Sequence, residues 1–172
     1  NLKEVTNRIN EVKKYRLKST RKATQKLSDF PSLFGEIRQP NSNYLLIPGV
    51  SSENRKYIPI GYLSSDIIAS DLARTIPNAS LFMFGVMTST LHMTWAKYTC
   101  GRLKSDFRYS SSLVYNNYPW PENPTEKQIK SIETSAQKVL DTRAEFPNSS
   151  LADLYDPLTM PPALVKAHDE LD

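Results

Sequence analysis

The most apolar window of the chain, residues 81–100, dictates what the rest must do. Leu81, Phe84, Leu91, Trp95 and Tyr98 recur at helical spacing, and Phe82, Met83, Val86, Met87 and Met93 widen the stripe. A helix apolar nearly all round must be covered on every side, so it predicts a buried element over 78–100 with other structure wrapped about it. Asn78 is placed as its N-cap and Gly101 just past its end. Ser, Thr, His92 and Lys97 interrupt the run, which makes it a poor membrane span. His92 and Trp95 read as packing residues.

The cover is supplied from both directions. Residues 43–48 and 57–63 are β-branched and aromatic runs between Pro, Gly and Ser, the pattern of two short strands. The polar loop 49–56 joins them. Residues 66–76 fit strand or helix, and strand is preferred, closed by Pro77. Further on, Asn123, Pro124 and Glu126 stand in the order of a helix start. Ile129, Ile132, Ala136, Val139 and Leu140 then give an apolar stripe that Pro147 ends. The Pro-punctuated tail 148–172 carries short helices. The expected fold is α+β: a small mixed or antiparallel sheet around the buried helix, a helical N-terminal segment and a C-terminal helical extension.

Charge is unevenly spread. Residues 1–28 hold nine Lys/Arg against Glu4 and Glu11, a net +7 in a chain of +4, which leaves −3 for the other 144 residues. The segment has no Gly or Pro and reads as a helix or a broken pair of helices. Leu2, Val5, Ile9, Val12 and Arg16 form its stripe. Such a basic segment favours a polyanion, with Lys13, Lys14, Arg21 and Lys22 as phosphate contacts, while a solvated surface helix is the plainer reading.

In the stretch 101–121 (GRLKSDFRYSSSLVYNNYPWP), an extended reading puts Leu103, Ser105, Phe107 and Tyr109 on one face and Lys104, Asp106 and Arg108 on the other. The charges then lie about 6.6–7 Å apart in a row. Lys and Arg donate to guanine O6 and N7, and Asp accepts from the cytosine amino group, so a Lys-x-Asp pair suits one G·C pair. The solvated face of an edge strand fits the same pattern.

Other chemistries find no support. Glycines 35, 49, 61, 85 and 101 never form a phosphate-cradling turn, and no nucleophile elbow or HExxH occurs. One cysteine, Cys100, allows no internal disulfide, and two histidines are too few for a structural zinc site. No metal, cofactor or catalytic role is expected of the chain itself. No signal peptide or membrane span is recognisable, and cytoplasm is the expected compartment. Asn117–Trp120 reads as a structural turn. The first residue is Asn and the last, Asp172, falls within a helical pattern, so a piece of a longer protein is expected.

Several blocks go beyond generic inference: LFGEIRQP (33–40), NYLLIP (43–48), SSENRKYIPIGYL (51–63), IPNASLFMFGV (76–86), HMTWAKYTCGRLKSDFRYS (92–110) and LVYNNYPWP (113–121). Their series closely resembles the target recognition domain of the MmeI-like (Type IIL) restriction–modification enzymes. The resemblance implies recognition of double-stranded DNA over residues 1–121, with 122–172 as the start of a C-terminal helical region. It implies a bacterial parent polypeptide carrying a site-specific adenine-N6 methyltransferase domain, which uses S-adenosylmethionine, and in this family an endonuclease. Lys104 and Asp106 resemble the family's paired readers of one base pair. Arg108 and Leu72 resemble positions acting together on a neighbouring pair, and Asp71 resembles half of a third reader whose partner should lie near Gly49. A glycine there has no side chain to offer, which shifts that readout to Arg55 or a backbone group. The alternative is a basic protein- or RNA-interaction module that reads no sequence.

Overall fold

The computed structural model describes residues 2–172, which form two compact units divided between Gln39 and Pro40. In the first, the basic segment is a pair of helices, α1 (Leu2–Leu17) and α2 (Lys22–Lys26), the second running into a 3-10 turn over Leu27–Asp29. Arg16 fastens the pair. Its guanidinium donates to the carbonyls of Leu27 (2.8 Å), Phe30 (2.7 Å) and Leu33 (2.7 Å). It adds a charged donor to the carbonyls of successive turns, those of Leu27 and Phe30 also accepting from the Phe30 and Leu33 N–H groups. Of the rest of the stripe, Leu2, Val5 and Val12 are exposed and Ile9 is half-buried, and α1 fully buries no residue.

The second unit has two three-stranded antiparallel sheets where a single small sheet was expected. One is ordered β3-β1-β4, from β1 (Tyr44–Pro48), β3 (Gly61–Leu63) and β4 (Ala73–Pro77). Tyr44, Leu45 and Ile47 of its middle strand are buried. Strand is found at 73–77 but not at 66–72, an exposed approach to β4. Pro77 closes β4 at the edge of the sheet, where a missing N–H costs no ladder bond. The other sheet is ordered β2-β6-β5, from β2 (Val50–Ser51), β5 (Gly101–Leu103) and β6 (Asp106–Arg108).

The expected single helix is two, α3 (Leu81–Thr88) and α4 (Thr90–Thr99). Ser89 breaks it: extended at ψ 160°, it ends α3 and starts α4 by accepting from the His92 N–H. Ser80, not Asn78, caps α3, accepting from Met83 N at 3.1 Å. Asn78 instead takes φ 54° in the turn before the cap. Gly101 stands just past the end of α4 as expected, after the extended C-cap Cys100, but it takes no positive φ and opens β5.

Helix α5 (Glu126–Ala144) lies against α3 at a glycine: a Cβ on Gly85 would meet Ile132 Cγ2 at 2.6 Å. Its cap is Thr125, with Gln128 completing a capping box, while Asn123 turns the chain at φ 49°. After α6 (Leu151–Leu154), helix α7 (Pro162–Leu171) packs on α5. Val139, Leu154 and Leu164 share one core with Phe84, Leu45 and Ile60.

A buried polar cluster ties these helices to the first sheet. Arg143 donates to the Ile60 carbonyl at 2.8 Å and, through Nε and Nη2, to the Tyr155 hydroxyl. Having one proton of its own, that hydroxyl donates it to His168 Nε2 at 2.7 Å. Burial, with Arg143 nearby, lowers the His168 pKa to about 3, so the ring is neutral. Tyr57 stacks on it at 4.0 Å and donates to Asp172, whose other oxygen accepts from the Thr90 N–H.

Candidate nucleic-acid interface

The charged segment is not one strand. Its chain reverses at Lys104–Ser105, so that β5 and β6 form a hairpin in which Leu103 pairs with Asp106, Arg102 with Phe107 and Gly101 with Arg108. Lys104 holds φ 56° at the tip, a conformation that glycine adopts freely and a lysine does not. The row of three evenly spaced charges is therefore replaced by two same-face charges on β6, Asp106 and Arg108, with Lys104 at the turn that leads into them. Leu103, expected beside Phe107, lies on the Asp106 face instead, because directly opposed residues of an antiparallel pair share a face.

The back of the hairpin is anchored and its front is free. Phe107 and Tyr109 are buried, with Arg102 lying 4.2 Å over the Phe107 ring. The Tyr109 hydroxyl meets His92 Nε2 at 3.0 Å, and its N–H donates to the Gly49 carbonyl at 2.9 Å. His92 is thus the packing residue expected, held neutral by a burial that lowers its pKa to about 4. On the front, Lys104 and Arg108 are exposed and Asp106 is half-buried. None of the three enters an ion pair among the described residues. One Asp106 oxygen accepts from the Glu53 N–H at 3.3 Å, which leaves the other for an outside donor.

Asp71 and Leu72 are exposed at the entry to β4. The Leu72 carbonyl sits where a Gly49 side chain would begin: a Cβ there would lie 2.3 Å from that oxygen. Gly49 is thus required for space and offers no reading group. It links the two regions, since the next residue, Val50, pairs with Arg108. Arg55 is half-buried, its guanidinium donating to the Ala152 carbonyl at 3.4 Å while its Nε is buried. Lys13, Lys14, Arg21 and Lys22 are exposed on the separate basic unit. Val50 and Leu103, exposed on the same face as Arg108 and Asp106, have no sequence signal of their own; their place there depends on the hairpin.

Among the described residues, no cluster of His, Cys, Asp and Glu can hold a metal ion, and no helix is long and apolar enough to cross a membrane.

Residues 1–122 match the family model described as MmeI, target recognition domain, and residues 124–172 match the one described as MmeI, C-terminal domain. The chain is 42% identical over 168 residues to DNA methyltransferase A of Bacillus subtilis (strain 168), covering 98% of itself and 19% of that protein. It is similar to the solved structure of the Type IIL restriction-modification enzyme MmeI in complex with DNA, at TM-score 0.88 and 49% identity, covering 98% of itself and 22% of that chain. It therefore spans about a fifth of each relative. With both of its parts matched in order, the chain belongs to the MmeI family as its target recognition domain followed by C-terminal domain sequence.

Proposed function

We propose that the chain is the module that recognises a specific sequence in double-stranded DNA for an adenine-N6 methyltransferase of the same polypeptide, in a restriction–modification enzyme. The observation that carries this reading is the hairpin: Asp106 and Arg108 on the front of β6 and Lys104 at the turn before them, of alternating donor and acceptor sense and in no ion pair among the described residues, with the back of β6 locked into the core. Lys104 donates to guanine O6 or N7 and Asp106 accepts from the cytosine amino group of the same pair. Arg108 and Leu72 act on a neighbouring pair, Asp71 on a third, and Lys13, Lys14, Arg21 and Lys22 hold phosphates.

Residues 1–121 serve as the recognition part and 122–172 begin the C-terminal region, whose first helices complete the recognition part's core. The chain acts in the cytoplasm. S-adenosylmethionine serves the methyltransferase domain and finds no fitting site here. Gly35, Gly49 and Gly85 lie against neighbouring groups and Gly61 and Gly101 lie in strands, so among the described residues no glycine-rich turn opens toward a ligand.

Competition binding with the full-length protein tests the reading. A duplex carrying its own methylation site should be preferred over a scrambled duplex of equal composition by at least about 10³-fold at physiological salt. Equal binding to both, or equal binding to an RNA duplex, would make it a basic module that reads no sequence.

A further inference from the structure

The front of the hairpin sheet carries two exposed apolar side chains. Leu103 is 50% exposed and Val50 42%. Register fixes where they stand: in the order β2-β6-β5, Val50 is opposite Arg108 on one side of the central strand and Leu103 is opposite Asp106 on the other. All four side chains leave the same face, since cross-strand partners do. Single exposed aliphatic residues are ordinary on protein surfaces. Here two of them flank the two strand charges, on a sheet whose opposite face already supplies the core through Phe107.

A major groove presents one apolar group, the C5-methyl of thymine; at the same position cytosine carries only hydrogen. A branched aliphatic side chain beside a polar reader is the complement of that edge. Neighbouring strands lie about 4.8 Å apart and the two rungs are offset by about 6.8 Å along β6, so Val50 and Leu103 are separated by roughly 12 Å and meet different base steps. We infer that Leu103 and Val50 are specificity-determining residues, each sensing the C5 substituent of one pyrimidine beside the pairs addressed by Asp106 and Arg108. The inference rests on the DNA-recognition reading and extends it from hydrogen bonding to methyl contact. The two kinds of readout divide the face: charges on the central strand and loop tip, apolar contacts on its flanks.

The test uses the full-length protein and duplexes of its own mapped site, in which each thymine is exchanged for deoxyuridine and each cytosine for 5-methylcytosine, one at a time. In the wild type, two positions should respond to the change of a single methyl group, by about three- to fivefold in affinity. Leu103→Ala should lose the response at one of them and keep the other, and Val50→Ala should do the reverse. Both variants should keep full discrimination at the pair read by Lys104 and Asp106, which shows them folded and correctly docked. The inference is overturned if the wild type is indifferent to every methyl exchange, or if the variants retain its pattern of responses. Loss of all preference for the native site over a scrambled duplex in the wild type would instead defeat the underlying reading.

Discussion

Lys104 occupies a backbone conformation that costs a non-glycine residue on the order of 1 kcal/mol. A side chain held there against its own preference is best explained by what the side chain does. Lys104→Gly should therefore stabilise the second unit by about 0.5–1 kcal/mol in urea unfolding while removing discrimination at one base pair. A variant both less stable and fully specific would contradict the account. At this scale much of the candidate site could be proposed from sequence, because residue chemistry (Lys, Asp, Arg) is independent of geometry. Backbone handedness was not. Asn78 and Asn123 stand where caps are expected, yet they supply positive φ, and Ser80 and Thr125, two residues later in each case, make the capping bonds. Asn favours both roles, so composition alone cannot separate them.

Elements whose apolar period is long were recognisable; those made by a turn were not. The stripe through Ile132, Ala136 and Val139 predicts α5 correctly, and 43–48 and 57–63 contain strands. The β5–β6 hairpin escaped because its Lys104–Ser105 loop lacks the Asn-Gly or Asp-Gly signal that marks a two-residue turn. The break at Ser89 escaped because a serine inside an apolar run is tolerated by an unbroken helix as well. The basic pair α1 and α2 was legible as helices, and its role is testable as an element. Neutralising Lys13, Lys14, Arg21 and Lys22 together should weaken binding equally for specific and scrambled duplexes. It should also flatten the dependence of log K on log salt by about 0.9 for each phosphate that is no longer neutralised. An unchanged slope would mean that this surface faces something other than DNA.

Across the molecule, the buried histidines set the response to acid. His92 and His168 have pKa values lowered to about 4 and about 3 from an ordinary 6.5, chiefly by burial. Below about pH 6.5 the unfolded chain takes up protons that the folded one refuses, so stability falls as the pH falls; above it these groups contribute no slope. Each should cost about 2 kcal/mol between pH 7 and pH 5, read as a drop in the urea midpoint, and a flat midpoint over that range would contradict neutral burial. The Arg143–Tyr155–His168 cluster that encloses the second of these histidines had no sequence signal, since its members lie on α5, just past α6 and on α7, brought together only by packing.

The most direct test of the recognition account reverses the donor and acceptor at the hairpin. The full-length enzyme carrying Lys104→Glu with Asp106→Arg should methylate a site changed at one base pair and unchanged elsewhere. Each single substitution should mainly lose binding, by about 1–3 kcal/mol, because one charge then faces the wrong base edge. An active, folded double variant that methylates the original sequence would contradict the assignment of Lys104 and Asp106 as a reading pair.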